Sequence, residues 1–467
     1  MIRTKRQRVF LVLAMFMLVS APTFAQKQEP PTGGSPKAFT LPMHETYVLA
    51  NGIKVTLVPY GNIPKVTINV TLRTGNLNEP KELLGIADIT GELLKEGTTS
   101  MSAKALAEAA ARMGSTLGVG TGADETTLDL DVLSESAADA VKLLADVAQH
   151  PVWPESELPR LKADLQRNIA VAKSQPGQIA LARFRKLLYG EHPYGSVLPT
   201  EESVNKITIE DAKKFYAANY GAERAHLYVA GKFDTAAVKK AIADGFSGWA
   251  KGPAAAQNVP KPKAQRLLDV TDRPNAPQST LYVGLPVADS SSADTIPLAV
   301  MNTLLGGSFA SRITSNIREQ KGYTYSPSSQ ISRRYHDAYW AEVADVTTAA
   351  TGASLKEIFG EIERLQKEAP PAAELKDIQS FLSGLFVIQN STRGALIGQL
   401  RYVDLQGLGE EYLKTYVQKV NAVTPAEVQA MTAKYIKPEE MTIVVVGDRA
   451  KITEQLAPYA AMADAKK

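Results

Sequence analysis

Gly85-Ile86-Ala87-Asp88-Ile89-Thr90-Gly91-Glu92-Leu93-Leu94-Lys95-Glu96-Gly97-Thr98 is the stretch from which the rest of the chain is best read. Ile86, Ile89, Leu93 and Leu94 recur at helical spacing, which predicts a short helix over 84–95 with one buried face. Asp88 and Glu92 lie four apart and so share a face. Gly97 is placed to end the helix. Upstream, Val66, Ile68, Val70 and Leu72 alternate with Thr67, Asn69, Thr71 and Arg73, the pattern of a half-buried strand. Downstream, Ser102 to Arg112 is Ala-rich and helical, and Leu128 to Val132 alternates as a strand. The glycine run Gly114 to Gly122 lies between them. It has no Gly-Lys-Ser/Thr, so it is no phosphate cradle and is expected to be an irregular strand.

Further along, helices are predicted at 136–149 and 155–173, and His192-Pro193-Tyr194-Gly195 is expected to be a structural turn. Thr208 should cap a helix to about 219, followed by the apolar strand Leu227 to Gly231. Residues 251–263 are rich in Pro, Ala and Lys without periodicity and read as a linker. The chain then repeats itself. Val204-Asn205-x-x-Thr208 recurs as Val420-Asn421-x-x-Thr424, and Gly231 recurs as Gly447, both 216 residues on. Pro154-x-x-Glu157-Leu158 recurs as Pro371-x-x-Glu374-Leu375 at an offset of 217. These anchors predict two homologous α+β halves, 43–250 and 264–467, each with helices packed on a mostly antiparallel sheet.

At the N-terminus, Arg3, Lys5, Arg6 and Arg8 precede an apolar run from Val9 to Val19, with Thr23-Phe24-Ala25 after it. That is the pattern of a cleavable signal peptide over 1–25, too short in its apolar part to span a bilayer. Residues 26–42 read as a disordered lead-in. A periplasmic or secreted protein is expected, without membrane insertion once the signal is cut after Ala25. Loss of those four cations takes the net charge from +3 to −1, so no global positive field for nucleic acid remains. With no cysteine, disulfides and thiolate metal sites are excluded. A hydrophobic content of 44% is enough for a real core.

The frame around the opening stretch resembles the zinc-site helix of the insulinase (pitrilysin) peptidase family, a His-x-x-Glu-His inside Gly-Leu-Ala-His…Gly-Thr. Gly85, Ala87, Gly97 and Thr98 match the surround. Asp88 and Glu92 stand where that family has its histidines, and Gly91 stands where it has its general base. The third ligand, a Glu on a later helix, falls on Asn168. A catalytic zinc needs three good ligands and a base beside its water, and these four positions supply neither. Asp88 and Glu92 alone lack the oxygens that a hard cation requires. The five histidines are scattered, with no pair at ligand spacing. The resemblance implies two facing halves that enclose a cavity. It also makes 114–122 the edge strand that pairs with a substrate peptide, with Gly118-Val119 in place of the family's Asn-Ala.

In the second half, Leu304-Leu305-Gly306-Gly307-Ser308 leads into a predicted helix through Gln320, with Ser308 as its N-cap and Gly322 as its end; Tyr323 to Ser326 reads as strand-like. Arg318 and Tyr325, seven apart, match the Arg/Tyr pair of the peptidase family. There the resemblance implies that Arg holds substrate and Tyr hydrogen-bonds the developing oxyanion, roles that suit a forked permanent cation and a fixed phenol. The chain thus looks like the non-catalytic subunit of a two-chain metallopeptidase. It would hold no cofactor, serve a partner homologue that bears the zinc, and act with it on an unfolded peptide. The rival expectation is a zinc-free peptide-binding or structural module.

Overall fold

The alternating strand β3 (Lys65–Leu72) lies inside a six-stranded sheet. It is flanked by β1 (Glu45–Val48), β2 (Lys54–Pro59), β4 (Gly118–Thr121), β5 (Thr126–Leu133) and β6 (Ala225–Gly231) in the order β1-β2-β6-β3-β5-β4. All neighbours are antiparallel except β2 and β6. Val66, Ile68, Val70 and Leu72 are fully buried under helices, as their alternation predicts. Asn69 and Thr71 on the other face are buried as well, so the strand is covered on both sides rather than one. The computed structural model describes residues 39–255 and 258–464, and the signal peptide and nearly all of the lead-in lie outside the described residues.

The second sheet has the order β7-β11-β8-β10-β9, built from β7 (Leu267–Asp272), β8 (Gln278–Val287), β9 (Ser328–Arg334), β10 (Asp337–Thr347) and β11 (Thr442–Gly447). It repeats β2-β6-β3-β5-β4 strand for strand, down to the one parallel pair, β7 with β11. The helices repeat too. Ile209–Asn219 and Pro425–Tyr435 are each opened by a threonine whose hydroxyl accepts from the third helical N–H, Thr208 from Asp211 and Thr424 from Glu427. Those reciprocal caps are what the Thr-x-x-acid spelling dictates. The α+β reading with two homologous halves therefore describes the molecule.

One helix of each half crosses to the other half's sheet. Pro176–Tyr189, not foreseen in the sequence, packs on β8 and β11, where Phe184 meets the rings of Tyr282 and Tyr339 at 4.7 and 5.3 Å. Its counterpart Arg393–Leu405 packs on β3 and β6, with Ile397, Leu400 and Val403 against Tyr228 and Ala230. This reciprocal crossing is what buries the second face of β3. Ion pairs pin both helices. Arg183 forks onto Asp269 at 2.7 and 3.0 Å, Arg393 reaches Asp131 at 3.0 Å, and Lys54 donates to Asp404.

Two details of the second half differ from expectation. The helix Thr295–Asn302 widens into a π-helical turn, Thr303–Gly307, and a second such turn covers Ser315–Gln320. Ser308 is extended and closes the first of these turns, and a non-helical segment, 308–311, follows, so the residue ahead of the short helix Arg312–Thr314 is Ser311 rather than Ser308. Tyr323 to Ser326 contributes only an isolated bridge, Thr324 to Val346, before β9 begins.

Candidate functional site

The helix predicted over 84–95 runs from Ile86 to Leu93, and its first turn is held by a residue outside it. Glu79 Oε1 accepts from the backbone N–H groups of Gly85 at 3.0 Å and Ala87 at 2.9 Å. A carboxylate suits that place, because the first N–H groups of a helix lack partners and carry positive dipole charge. Burial acts the other way and dominates, pushing the Glu79 carboxyl up to about 7. Asn76 joins it to the next carboxylate: its Nδ2 donates to Glu79 Oε1 at 3.3 Å and to Asp88 Oδ2 at 3.0 Å. Burial raises Asp88 too, against the Asn76 bond. The sequence carries no motif for Glu79 and Asn76; the only local hint is an acid six residues ahead of Gly85.

The structure brings Asp88, Glu92 and Asn168 to one cleft of about 250 Å³, the last from the helix Leu158–Ser174. They stand together as the resemblance predicts, but they do not fit zinc. Asp88 is engaged by Asn76, Glu92 pairs with Lys95 at 2.5 Å, and no histidine lines the cleft. Among the described residues no three His, Asp or Glu side chains form a group that could hold a metal ion. At Gly91, the base position, the helix backbone lies close against β4. A Cβ built on Gly91 would lie 2.6 Å from Thr121 Oγ1 and 3.5 Å from Val119 Cγ1, so the helix sits directly on β4. The glycine run thus supplies the edge strand of the first sheet, as expected. His192 to Gly195 is structural: Tyr194 is buried and its hydroxyl donates to Asp124.

The same contact recurs in the second half. Val70 pairs with Leu128 and Leu128 with Val119, while Val283 pairs with Glu342 and Glu342 with Ser329. A Cβ on Gly306 would lie 2.6 Å from both Ser329 Oγ and Glu342 Oε2. Gly306 is therefore the counterpart of Gly91, and the Gly306-Gly307 turn is the symmetry mate of the degenerate zinc helix.

Arg318 and Tyr325 lie together. The guanidinium of Arg318 stacks between two rings, Phe309 at 4.3 Å and Tyr325 at 4.8 Å, and its Nε meets Glu319 at 2.9 Å. Tyr325 is 78% exposed and Phe309 68%. Neither Arg318 nor Tyr325 lines the cleft of Asp88, Glu92 and Asn168. The stack orients the Arg318 fork through cation–π attraction and leaves the phenol facing solvent. Phe309 was missed because an apolar residue in a glycine-rich turn has no chemical signature.

Residues 55–200 match the family model described as insulinase (peptidase family M16), and residues 206–382 match the one described as peptidase M16 inactive domain. In sequence the chain is similar to an uncharacterized zinc protease, YmxG, of Bacillus subtilis (strain 168). The two are 25% identical over 411 residues, covering 86% of this chain and 98% of the relative. It is also similar to the non-peptidase homolog YmxG of Helicobacter pylori, 22% identical over 415 residues, covering 87% and 95%. In structure it is similar to a peptidase M16 inactive domain from Pseudomonas fluorescens, with a TM-score of 0.80, 25% identity and coverage of 87% and 98%. A protease from Helicobacter pylori shares the fold with a TM-score of 0.81, 20% identity and coverage of 87% and 100%.

Proposed function

This chain belongs to the insulinase family as an inactive peptidase homologue, and we propose that it works as the non-catalytic subunit of a two-chain zinc peptidase. The observation that carries this reading is the Arg318–Tyr325 stack, which is ordered by Phe309, keeps the Tyr325 ring exposed and does not line the cleft of Asp88, Glu92 and Asn168. A forked cation beside an exposed phenol suits a site completed by another chain. Tyr325 would donate to an oxyanion developing at the partner's zinc, and Arg318 would hold the substrate's main chain or carboxylate. The zinc belongs to the partner in this reading, because Asp88, Gly91, Glu92 and Asn168 offer no set of ligands and no base for it. The signal pattern of residues 1–25 assigns the work to the periplasm or the outside of the cell. A second reading, capture of peptides without cleavage, draws on the open edge of β4 and on the name of the Helicobacter pylori relative.

The test is reconstitution with an exported homologue that has an intact His-x-x-Glu-His. We expect a complex with one zinc per pair and hydrolysis of unfolded peptides that neither chain achieves at the same rate alone. If the chain purifies only with itself, and the homologue changes neither its mass nor any activity, the subunit reading fails and capture stands.

A further inference from the structure

Beside the degenerate cleft, and sharing Asp88, Leu165 and Asn168 with it, lies a cavity of about 390 Å³ with two arginines in its wall. Arg185 comes from the crossing helix Pro176–Tyr189 and is only 8% exposed. Its Nε has no hydrogen-bond partner, and among the described residues no carboxylate forms an ion pair with it. Arg334, at the end of β9 in the other half, lines the same cavity, and its Nε is also buried without a partner. The two cations act on each other: burial and the neighbouring Arg334 charge hold the Arg185 guanidinium below its ordinary value. Asp337 is the carboxyl whose field both arginines feel. It is itself buried and accepts from Tyr189, and burial keeps it above the usual carboxylate range. The ring of Tyr189 lies 5.9 Å from the Arg185 guanidinium.

A buried cation without an ion-pair partner, as Arg185 is, is costly, and a second cation facing the same space adds to the cost. Arg334 is half-buried and its Nη1 donates to the Arg333 carbonyl at 3.1 Å, which leaves its Nε unpartnered. Chains keep such an arrangement where an anion completes it. We propose that this cavity binds a carboxylate of an extended peptide, gripped by the guanidinium groups of Arg185 and Arg334. Its volume is that of a small-ligand site, which usually spans about 300–1,000 Å³. Leu77, Leu165 and Ile169 give it an apolar wall for the rest of a residue. Two guanidinium forks match a planar carboxylate. A phosphate dianion fits less well, because Glu79 and Asp88 stand in the same cavity and repel a second charge. The site is carried by this chain alone, so it holds whether or not a zinc-bearing partner exists.

The experiment is calorimetric titration of the purified chain with three N-acetylated hexapeptides of alanine and serine. One has a free C-terminus, one a C-terminal amide, and one an amide with a glutamate inside. Binding of the free acid but not the plain amide, by a margin of about tenfold or more, supports a C-terminal carboxylate. Binding of the glutamate amide supports a side-chain carboxylate. Arg185→Gln should erase the preference, and Arg185→Lys should restore it in part, since it keeps the charge and loses the fork. If Arg185→Gln does not fold, Arg334→Gln makes the same test from the more exposed partner. Equal binding of the neutral amide, equal affinity for inorganic phosphate, full binding by a folded arginine variant, or no binding at millimolar peptide each overturns the proposal.

Discussion

At the residue scale, Glu79 links helix stability to pH. Burial pushes its carboxyl up to about 7 from the ordinary value of 4.5 that the unfolded chain retains, so the folded state holds the proton more tightly. The stabilisation from that proton is complete below the unfolded pKa and is lost as pH rises through 7. Glu79→Gln keeps an oxygen for the N–H groups of Gly85 and Ala87 and removes the titration. In urea unfolding between pH 5 and 8, wild type should lose on the order of 2 kcal/mol relative to Glu79→Gln. Equal slopes would show that burial does not govern this carboxyl. Gly91 makes a steric prediction. Gly91→Ala improves helix propensity by about 1 kcal/mol but sets a methyl 2.6 Å from Thr121 Oγ1, an overpacking that costs about 1–3 kcal/mol. The change should destabilise wild type and stabilise a Thr121→Ala background. The same sign in both backgrounds would mean that β4 does not press on this helix.

At the element scale, the crossing helices make each half depend on the other. Phe184→Ala should cost about 3–5 kcal/mol, the range for a large buried aromatic. Its distinctive result lies in where the loss is felt: amides of β8 and β11, in the other half, should exchange faster under native conditions. Ile397→Ala should do the same to β3 and β6. If exchange rises only around the mutated helix, the crossing contributes shape but not coupling. This crossing also marks where the sequence stops being informative. The alternation of β3, the threonine caps at 208 and 424 and the offset of 216 are local or repeated signals, and each names its element. Pro176–Tyr189 has an apolar face too, yet its partners lie about a hundred residues later in β8 and further still in β11, where no local pattern points. The π-helical turns were hidden for a related reason, since one extra residue per turn leaves composition unchanged, and the break at 308–311 that puts Ser311 ahead of the next helix has no local spelling either. In the cleft, positions 88, 91, 92 and 168 were legible because a spaced frame surrounds them. Glu79 and Arg185 were not, because each owes its chemistry to burial by distant segments.

For the whole molecule, the two candidate surfaces differ in chemistry. The cleft of Asp88, Glu92 and Asn168 keeps the frame of a zinc site and has filled its base position with the contact between Gly91 and β4. In the Arg318–Tyr325 stack the guanidinium lies 4.8 Å from the phenol ring, and that ring is exposed. If that stack completes a partner's site, its residues should matter for turnover and not for folding. Tyr325→Phe is the cleanest probe, because the ring remains over the Arg318 guanidinium and only a solvent-facing hydroxyl is lost. Loss of one oxyanion donor lowers turnover by about 10²–10³, so kcat of the reconstituted complex should fall by that order with KM little changed. Arg318→Lys keeps the charge but loses the fork and much of the stacking, so KM should rise as well. Zinc content, complex mass and thermal midpoint should stay at wild-type values in both variants, since neither side chain is a ligand or part of a core. Solvated bystanders would leave kcat and KM untouched, and a Tyr325→Phe complex that turns over like wild type removes this residue from the mechanism while leaving the fold and family assignment intact.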